Sequence, residues 1–257
     1  MPRPDRRRLL AEMGLAPLWR LRRADSVAMP LAPHPEPHAE HSLPESSGAA
    51  ARLAPMVPTE GAAREASIGA MDWVALKQAV PACTACGLHA GRKQAVFGVG
   101  DERADWLLVG EAPGAEEDRL GEPFVGQAGR LLDAMLDALA LKRGQNVYIA
   151  NVLKCRPPGN RNPEAGEVAQ CTPFLLRQIA LIEPRLIVAM GRFAAQTLLA
   201  TDATIASLRG RVHRYAGVPL IVTYHPAYLL RNLPDKAKAW ADLVFARRTL
   251  ADLRARS

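Results

Sequence analysis

The chain has 257 residues, 33 basic against 26 acidic side chains for a net charge of +7, 49% apolar residues, 5% aromatics and four cysteines. No run approaches the roughly 18 uninterrupted apolar residues of a membrane helix, which argues against a helical spanning protein and a membrane partner. No apolar segment with a small-residue cleavage site opens the sequence, so a cytoplasmic location is expected, and the cysteines read as reduced thiols or metal ligands rather than disulfides.

Residues 1–70 hold ten of the 21 prolines and a single aromatic, Trp19. They carry nine basic and eight acidic side chains, so +6 of the charge falls on 71–257, where it suits an acidic partner such as nucleic acid. From Ser26 to Ala70 no hydrophobic period is sustained. Such a stretch buries too little apolar surface to offset its ordering entropy, and a disordered extension over 1–70 is expected. Within it, 5–23 (DRRRLLAEMGLAPLWRLRR) sets Leu9, Leu10, Met13, Leu18, Trp19 and Leu21 among arginines. This piece reads either as a short helix that docks on a protein partner or anionic surface, or as a basic tail whose leucines are incidental.

From Met71 the pattern becomes that of an α/β domain running to 257. The spacing predicts a helix over 71–80 ended by Pro81, a buried strand over 105–110 (DWLLVG) and a helix over 129–141. A second strand follows at 146–151 (NVYIAN), then a helix opened by Pro163 and Glu164 and running to about Ile182. A third strand lies at 185–190 (RLIVAM), a helix at 192–199, and a fourth strand at 219–224 (PLIVTY) paired with 212–215. An amphipathic helix over 235–254 closes the chain. Short, wholly apolar strands separated by helices predict a parallel sheet covered on both faces, with the site beyond the carboxyl ends of its strands. That rule points at the loops after Gly110, Asn151, Gly191 and Tyr224.

Three of those loops hold unusual residues. After Gly110 comes EAPGAEED and then GEPFVG, where glycines let backbone amides approach a ligand and Phe124 is placed either to stack on a flat ligand or to anchor its loop. The text lacks G-x-G-x-x-G, which disfavours a nucleotide-dependent oxidoreductase. Asn151 closes its strand, where a carboxamide can donate and accept at the edge of a base or simply make a turn. After the fourth strand comes HPAYLLR, in which His225 stands at a strand end, and Tyr228, Leu229 and Leu230 beside Arg231 have the character of an apolar wedge with a phosphate contact.

The cysteines form two pairs. Cys83 and Cys86 make C-x-x-C, and Cys155 and Cys171 stand 15 residues apart across a proline-rich loop. Four thiolates suit tetrahedral zinc or a cubane iron–sulfur cluster, and the residue chemistry alone leaves both open. With no His needed in the count, the metal reads as structural.

At these residues the chain resembles the iron–sulfur, family 4, uracil-DNA glycosylases. The resemblance covers about Met71 to Asp252 and rests on GEAPGAEEDRLGEPFVGQAGRLLD, NVLKCRPPGNRNP, EVAQC and TYHPAYLLR. It implies a three-layer α/β/α sandwich with a central four-stranded parallel sheet, acting as a monomer on uracil-containing DNA. It implies a [4Fe-4S] cluster on Cys83, Cys86, Cys155 and Cys171, and hydrolysis of the N-glycosidic bond of deoxyuridine in single- and double-stranded DNA. By the same resemblance Phe124 stacks on the flipped uracil, and Asn151 bonds its Watson–Crick edge. Gly110, Glu111, Ala112, Gly114 and Glu117 border it, and His225 stabilises charge on O2. Arg156, Arg161, Tyr228, Leu229 and Arg231 meet the DNA, with Leu229 the first choice of wedge.

Three departures bear on mechanism. Better-known uracil glycosylases carry Asp where this chain has Ala112, so either Glu111, with Glu117 second, orients the water, or cleavage is dissociative enough to need little help from a base. Gly114 stands where that other class has an aromatic that blocks the thymine methyl, which leaves exclusion of thymine to a residue such as Glu117. The stretch 155–163 has no His of the kind that forms a covalent adduct in a related branch, so ordinary turnover is expected. The competing reading is a non-catalytic iron–sulfur DNA-binding module of replication or repair, which needs the cysteines and the basic surface but neither Asn151 nor His225.

Overall fold

The structure, a computed structural model, describes residues 60–255. The basic segment 5–23 and the rest of the expected extension before Glu60 lie outside the described residues. In chain order the elements are α1 (Glu60–Gly69), α2 (Trp73–Ala82), β1 (Val99–Gly100), β2 (Trp106–Gly110), α3 (Ala115–Leu120) and α4 (Gln127–Ala138). They continue with β3 (Val147–Asn151), α5 (Ala165–Ile182), β4 (Leu186–Met190), α6 (Arg192–Leu199), α7 (Ile205–Leu208), β5 (His213–Tyr215), β6 (Val218–Thr223), α8 (Pro226–Leu229) and α9 (Lys236–Ala255).

The sheet order is β1-β3-β2-β4-β6-β5. β3, β2, β4 and β6 run parallel, in register Gly110↔Asn151, Val109↔Ala189 and Met190↔Thr223. These are the four expected strands. The sheet is nonetheless six-stranded and mixed rather than four-stranded, because β1 and β5 add antiparallel edges. At two residues β1 is too short to leave an apolar run in the sequence, whereas β5 is the expected pairing of 212–215 with the last strand.

Alternate residues of each strand face opposite layers. Leu107, Val109, Ile187, Ala189, Leu220 and Val222 pack on one side with α5 and α6 residues such as Ile179 and Ala194. Leu108, Ile149, Val188 and Ile221 pack on the other with Leu132 and Leu136 of α4 and Leu243 and Leu250 of α9. Each wholly buried side chain of this kind contributes about 1.5–3 kcal/mol. Burial on both faces is why the strands read as unbroken apolar runs. The result is the expected three-layer α/β/α arrangement.

A third cluster joins Ile68, Leu76, Val80, Leu88, Leu153 and Phe174 around Cys155 and Cys171. Here two expectations are corrected. α1 begins well ahead of Met71, since Ile68 alone gives it a buried anchor that no hydrophobic period announces. α2 is capped by Asp72, whose carboxylate accepts from the Ala75 amide at 2.8 Å, and runs through Pro81 in its last turn rather than ending before it. At the start of α5 the Glu167 carboxylate accepts from the Glu164 amide at 2.9 Å, a reciprocal cap at the expected position.

Candidate active site

The carboxyl ends of β2, β3, β4 and β6 open onto a cleft of about 860 Å³. Glu111, Ala112, Gly114, Glu117, Phe124, Asn151, Arg161, His225, Tyr228 and Arg231, all expected at the site, line it. Gly110, Arg156 and Leu229 do not.

Gly110 acts from beneath. A Cβ on it would stand 2.4 Å from Asn151 Oδ1 and 2.6 Å from Phe124 Cζ. Only the bare glycine lets the carboxamide and the ring meet over the end of β2. Phe124 holds its place at φ 55°, a left-handed conformation unusual for a side chain of this bulk. Arg143 offsets that strain, donating to the Phe124 carbonyl at 2.9 Å and the Pro123 carbonyl at 2.8 Å while pairing with Asp133 at 2.9 Å.

Asn151 is 2% exposed, and its Oδ1 is a buried side-chain acceptor with no hydrogen-bond partner among the described residues. An unmet buried acceptor costs about 1–3 kcal/mol, so its retention at the floor of a cleft marks a place for a ligand donor. Its backbone carbonyl is held from behind by Lys154, whose ammonium donates to it at 2.9 Å and to Gln178 Oε1 at 2.6 Å. Lys154 is 1% exposed, and burial pushes its ammonium down to about 8 against the upward pull of Cys171 and Cys155. Nothing in the sequence marks Lys154, because a lysine in a proline-rich loop ordinarily points to water.

His225 caps α8. Its Nδ1 accepts from the Ala227 amide at 3.1 Å, which assigns the proton of the neutral ring to Nε2. Burial pushes the imidazole down to about 4, with Glu117 raising it and Arg231 lowering it. The ring is therefore a neutral donor through the physiological range. Behind it the Thr223 hydroxyl donates to Asp242 at 2.8 Å, and Asp242 pairs with Arg209 at 2.6 Å. The Arg209 guanidinium lies 4.8 Å over the Tyr224 ring, which stacks on Tyr228 at 5.2 Å.

Glu117 is fully occupied by backbone. Its Oε2 accepts from Gly114 at 3.1 Å, and its Oε1 from Val125 at 3.0 Å and Gly126 at 3.2 Å. It ties the two glycine-rich loops together. Glu111 carries no such load. Burial pushes its carboxyl up, and Arg192 at the head of α6 pulls it back. Arg192 lines the cleft but was not singled out; the strand-end rule marked its loop after Gly191 without naming a residue.

The expected DNA contacts divide. Arg231 is exposed at the cleft rim. Arg161 forks onto Glu167 at 2.6 and 3.0 Å, and Arg156 donates to Asn160 at 2.7 Å. The Tyr228 hydroxyl donates to Asp235 at 2.7 Å. Leu229 is 1% exposed, and the residue that projects is Leu230 at 41%. The helical turn of α8 swings Leu229, the expected wedge, inward and leaves Leu230 as the exposed leucine of the loop.

Away from the cleft, Cys83, Cys86, Cys155 and Cys171 line one small cavity with Arg92, Lys154, Gln170 and Phe174. Arg92 donates to Cys155 Sγ at 2.9 Å and to the Pro81 carbonyl, and the Lys154 amide donates to Cys171 Sγ at 3.2 Å. Burial pushes the Cys171 thiol up to about 11 and raises Cys155 too. Thiols so buried become thiolates only against strong positive charge. No group of three or more His, Cys, Asp or Glu among the described residues is gathered as a site for a metal ion.

The model of the uracil DNA glycosylase superfamily matches residues 97–244. A type-4 uracil-DNA glycosylase of Pyrobaculum aerophilum is 45% identical over 181 residues, covering 67% of this chain and 92% of that protein. One of Thermotoga maritima is 45% identical over 165 residues, covering 63% and 85%. A type-5 enzyme of Pyrobaculum aerophilum is more distant, 34% identical over 149 residues, covering 52% and 66%. With this cleft at the strand ends of this sheet, the chain belongs to the uracil DNA glycosylase superfamily, beside its type-4 members.

Proposed function

We propose that the cleft receives a uracil turned out of DNA and hydrolyses its N-glycosidic bond, releasing free uracil and leaving an abasic site. The observation that carries this reading is the orphaned Asn151 Oδ1. Uracil offers a donor at N3–H between two carbonyl acceptors, so Oδ1 takes N3–H and the Asn151 amide group serves O4. Cytosine has the opposite pattern, an acceptor at N3 beside an amine, and would leave both partners mismatched. Phe124 provides the stacking face. Beside Gly114, where a Cβ would lie 2.7 Å from Glu117 Oε2, the Glu117 carboxylate fills space against a methyl at C5 of thymine.

Uracil leaves as an anion, and the site must stabilise that charge as it develops. A neutral His225 donating from Nε2 does so without having to lose its proton, and backbone amides of the 111–114 loop add to it. Glu111, the cleft carboxylate not consumed by backbone amides, orients the water. Arg231 and Arg192 meet phosphates, and Leu230 enters the duplex to offset the few kcal/mol of extruding a nucleotide, on the order given by other base-flipping enzymes.

The cysteine cavity suits a [4Fe-4S] cluster. Four thiols lining one cavity are the donor set such a cluster takes, and the cluster is what the resemblance to the family 4 enzymes implies for these residues. Bound to all four, it would supply a structural tie between the 83–86 turn, the loop after β3 and α5.

The test is incubation of purified, iron-loaded protein with single- and double-stranded oligonucleotides carrying one U, T or C. Free uracil and an alkali-labile site at U alone are expected. Intact U strands under conditions where the protein binds them would overturn the reading.

A further inference from the structure

α1 precedes the residues matched by the superfamily model, and one of its side chains has a placement that base excision does not explain. Arg64 Nη1 donates to the Gln170 carbonyl at 2.9 Å, and its Nη2 donates to Cys83 Sγ at 3.6 Å. Its guanidinium lies 5.2 Å over the ring of Phe174. Gln170, Cys83 and Phe174 all line the cysteine cavity. One turn further along α1, Ile68 is 3% exposed in the same cluster of side chains, so the helix is anchored where it delivers Arg64.

The four cysteines are not equally protected. Cys155 and Cys171 are buried, whereas Cys83 and Cys86 keep partial exposure. The C-x-x-C side is therefore where a competing ligand for iron reaches the sulfurs first. Arg92 guards Cys155 from within the domain, and Arg64 stands over Cys83 from α1. A cluster held by four thiolates has net negative charge, and a guanidinium donating to a coordinating sulfur stabilises that charge while closing the approach to it. Arginine suits the place because one planar fork serves a carbonyl, a sulfur and an aromatic face together.

We infer that α1 is a cover for the iron–sulfur site and that Arg64 is a retention residue, holding the cluster by its contacts to Cys83, Gln170 and Phe174. The inference rests on the [4Fe-4S] reading above. Its role is positional and electrostatic; Arg64 touches neither DNA nor base in this account.

The experiment follows iron loss from full-length, cluster-loaded protein in excess iron chelator, by bleaching of the visible absorption and by iron transferred, for wild type, Arg64→Gln and Arg64→Lys. Arg64→Gln should release iron about tenfold faster, the low end of what removing an outer-shell partner costs a metal site. Arg64→Lys, which keeps the charge but not the fork, should fall between. Thermal melts run alongside should place the folded stability of the variants close to wild type. Release from Arg64→Gln at the wild-type rate would overturn the inference and leave the cluster reading standing, as would faster release that merely follows a lowered melting temperature. Wild-type protein with neither iron nor visible absorption would remove the cluster reading and this inference with it.

Discussion

The ring of Phe124 stacks on the imidazole of His225, with centroids 5.3 Å apart and planes 29° from parallel. One follows β2 and the other follows β6, with β4 between them in the sheet. Gly191 at the end of β4 makes the bridge, since a Cβ there would stand 2.8 Å from His225 Cβ. Phe124 and His225, the stacking face and leaving-group donor of the proposed function, are thus registered against each other by direct contact, and Asn151 joins Phe124 over Gly110.

Gly110→Ala tests that registration. The added methyl must displace the Asn151 carboxamide and the Phe124 ring together. A misplacement near 1 Å costs about 10²-fold in rate. A loss of that size is expected in single-turnover uracil release, with an unchanged far-UV spectrum. A rate equal to that of wild type would show that the two residues need not meet there.

The state of His225 predicts a stability profile. Its folded value of about 4 lies below the ordinary 6.5, so the unfolded chain takes up the proton first. The contribution is intact above about pH 6.5 and is lost as pH falls towards about 4, with a slope of at most about 1.4 kcal/mol per pH unit. Denaturant melts of wild type and His225→Gln across this window should converge as pH falls. Parallel profiles would mean that the imidazole is not held neutral.

Much of this was legible in the sequence, for physical reasons. Leu107–Val109 and Leu186–Met190 are apolar on both faces because helices cover both, and Gly110, Asn151 and His225 stand at or just past the ends of β2, β3 and β6. β1 was too short to leave a pattern, whereas β5 is the expected pairing of 212–215 with the last strand. α1 escaped because Ile68 is its single buried large apolar side chain. That Leu230 rather than Leu229 faces water was not legible, because one residue at the end of a four-residue helix decides it. Glu117 accepts from backbone amides, and Lys154 divides its ammonium between the Asn151 carbonyl and Gln178 Oε1; no pattern of residue types records such partners.

Glu117→Gln should act through loop placement rather than charge. The amide group of Gln would confront a backbone N–H donor where a carboxylate oxygen now accepts, at Gly114 or at Val125 and Gly126. A fall of about tenfold or more in kcat/KM is expected, in line with losing at least one buried hydrogen bond. It should come with faster amide exchange at Val125 and Gly126. Lost activity with unchanged exchange would instead place the carboxylate in the chemistry.

Leu229, which closes α8, and Leu230 just after it are expected to separate folding from base extrusion. Leu229→Ala should destabilise the fold by about 2–5 kcal/mol, the range for a buried leucine. Leu230→Ala should leave the melting temperature in place and slow excision from duplex more than from single strands, where no stack has to be opened. The reverse pattern would return the wedge role to Leu229.

The most direct test of base recognition compares single-turnover uracil release by wild type, Asn151→Ala and His225→Ala at matched DNA occupancy. Each variant should lose about 10²–10³-fold in rate, the usual range for one preorganised donor. Asn151→Ala should also melt no lower than wild type, because it removes an unpartnered buried acceptor. Variants that release uracil at the wild-type rate would contradict the assignment of Asn151 and His225 to the base.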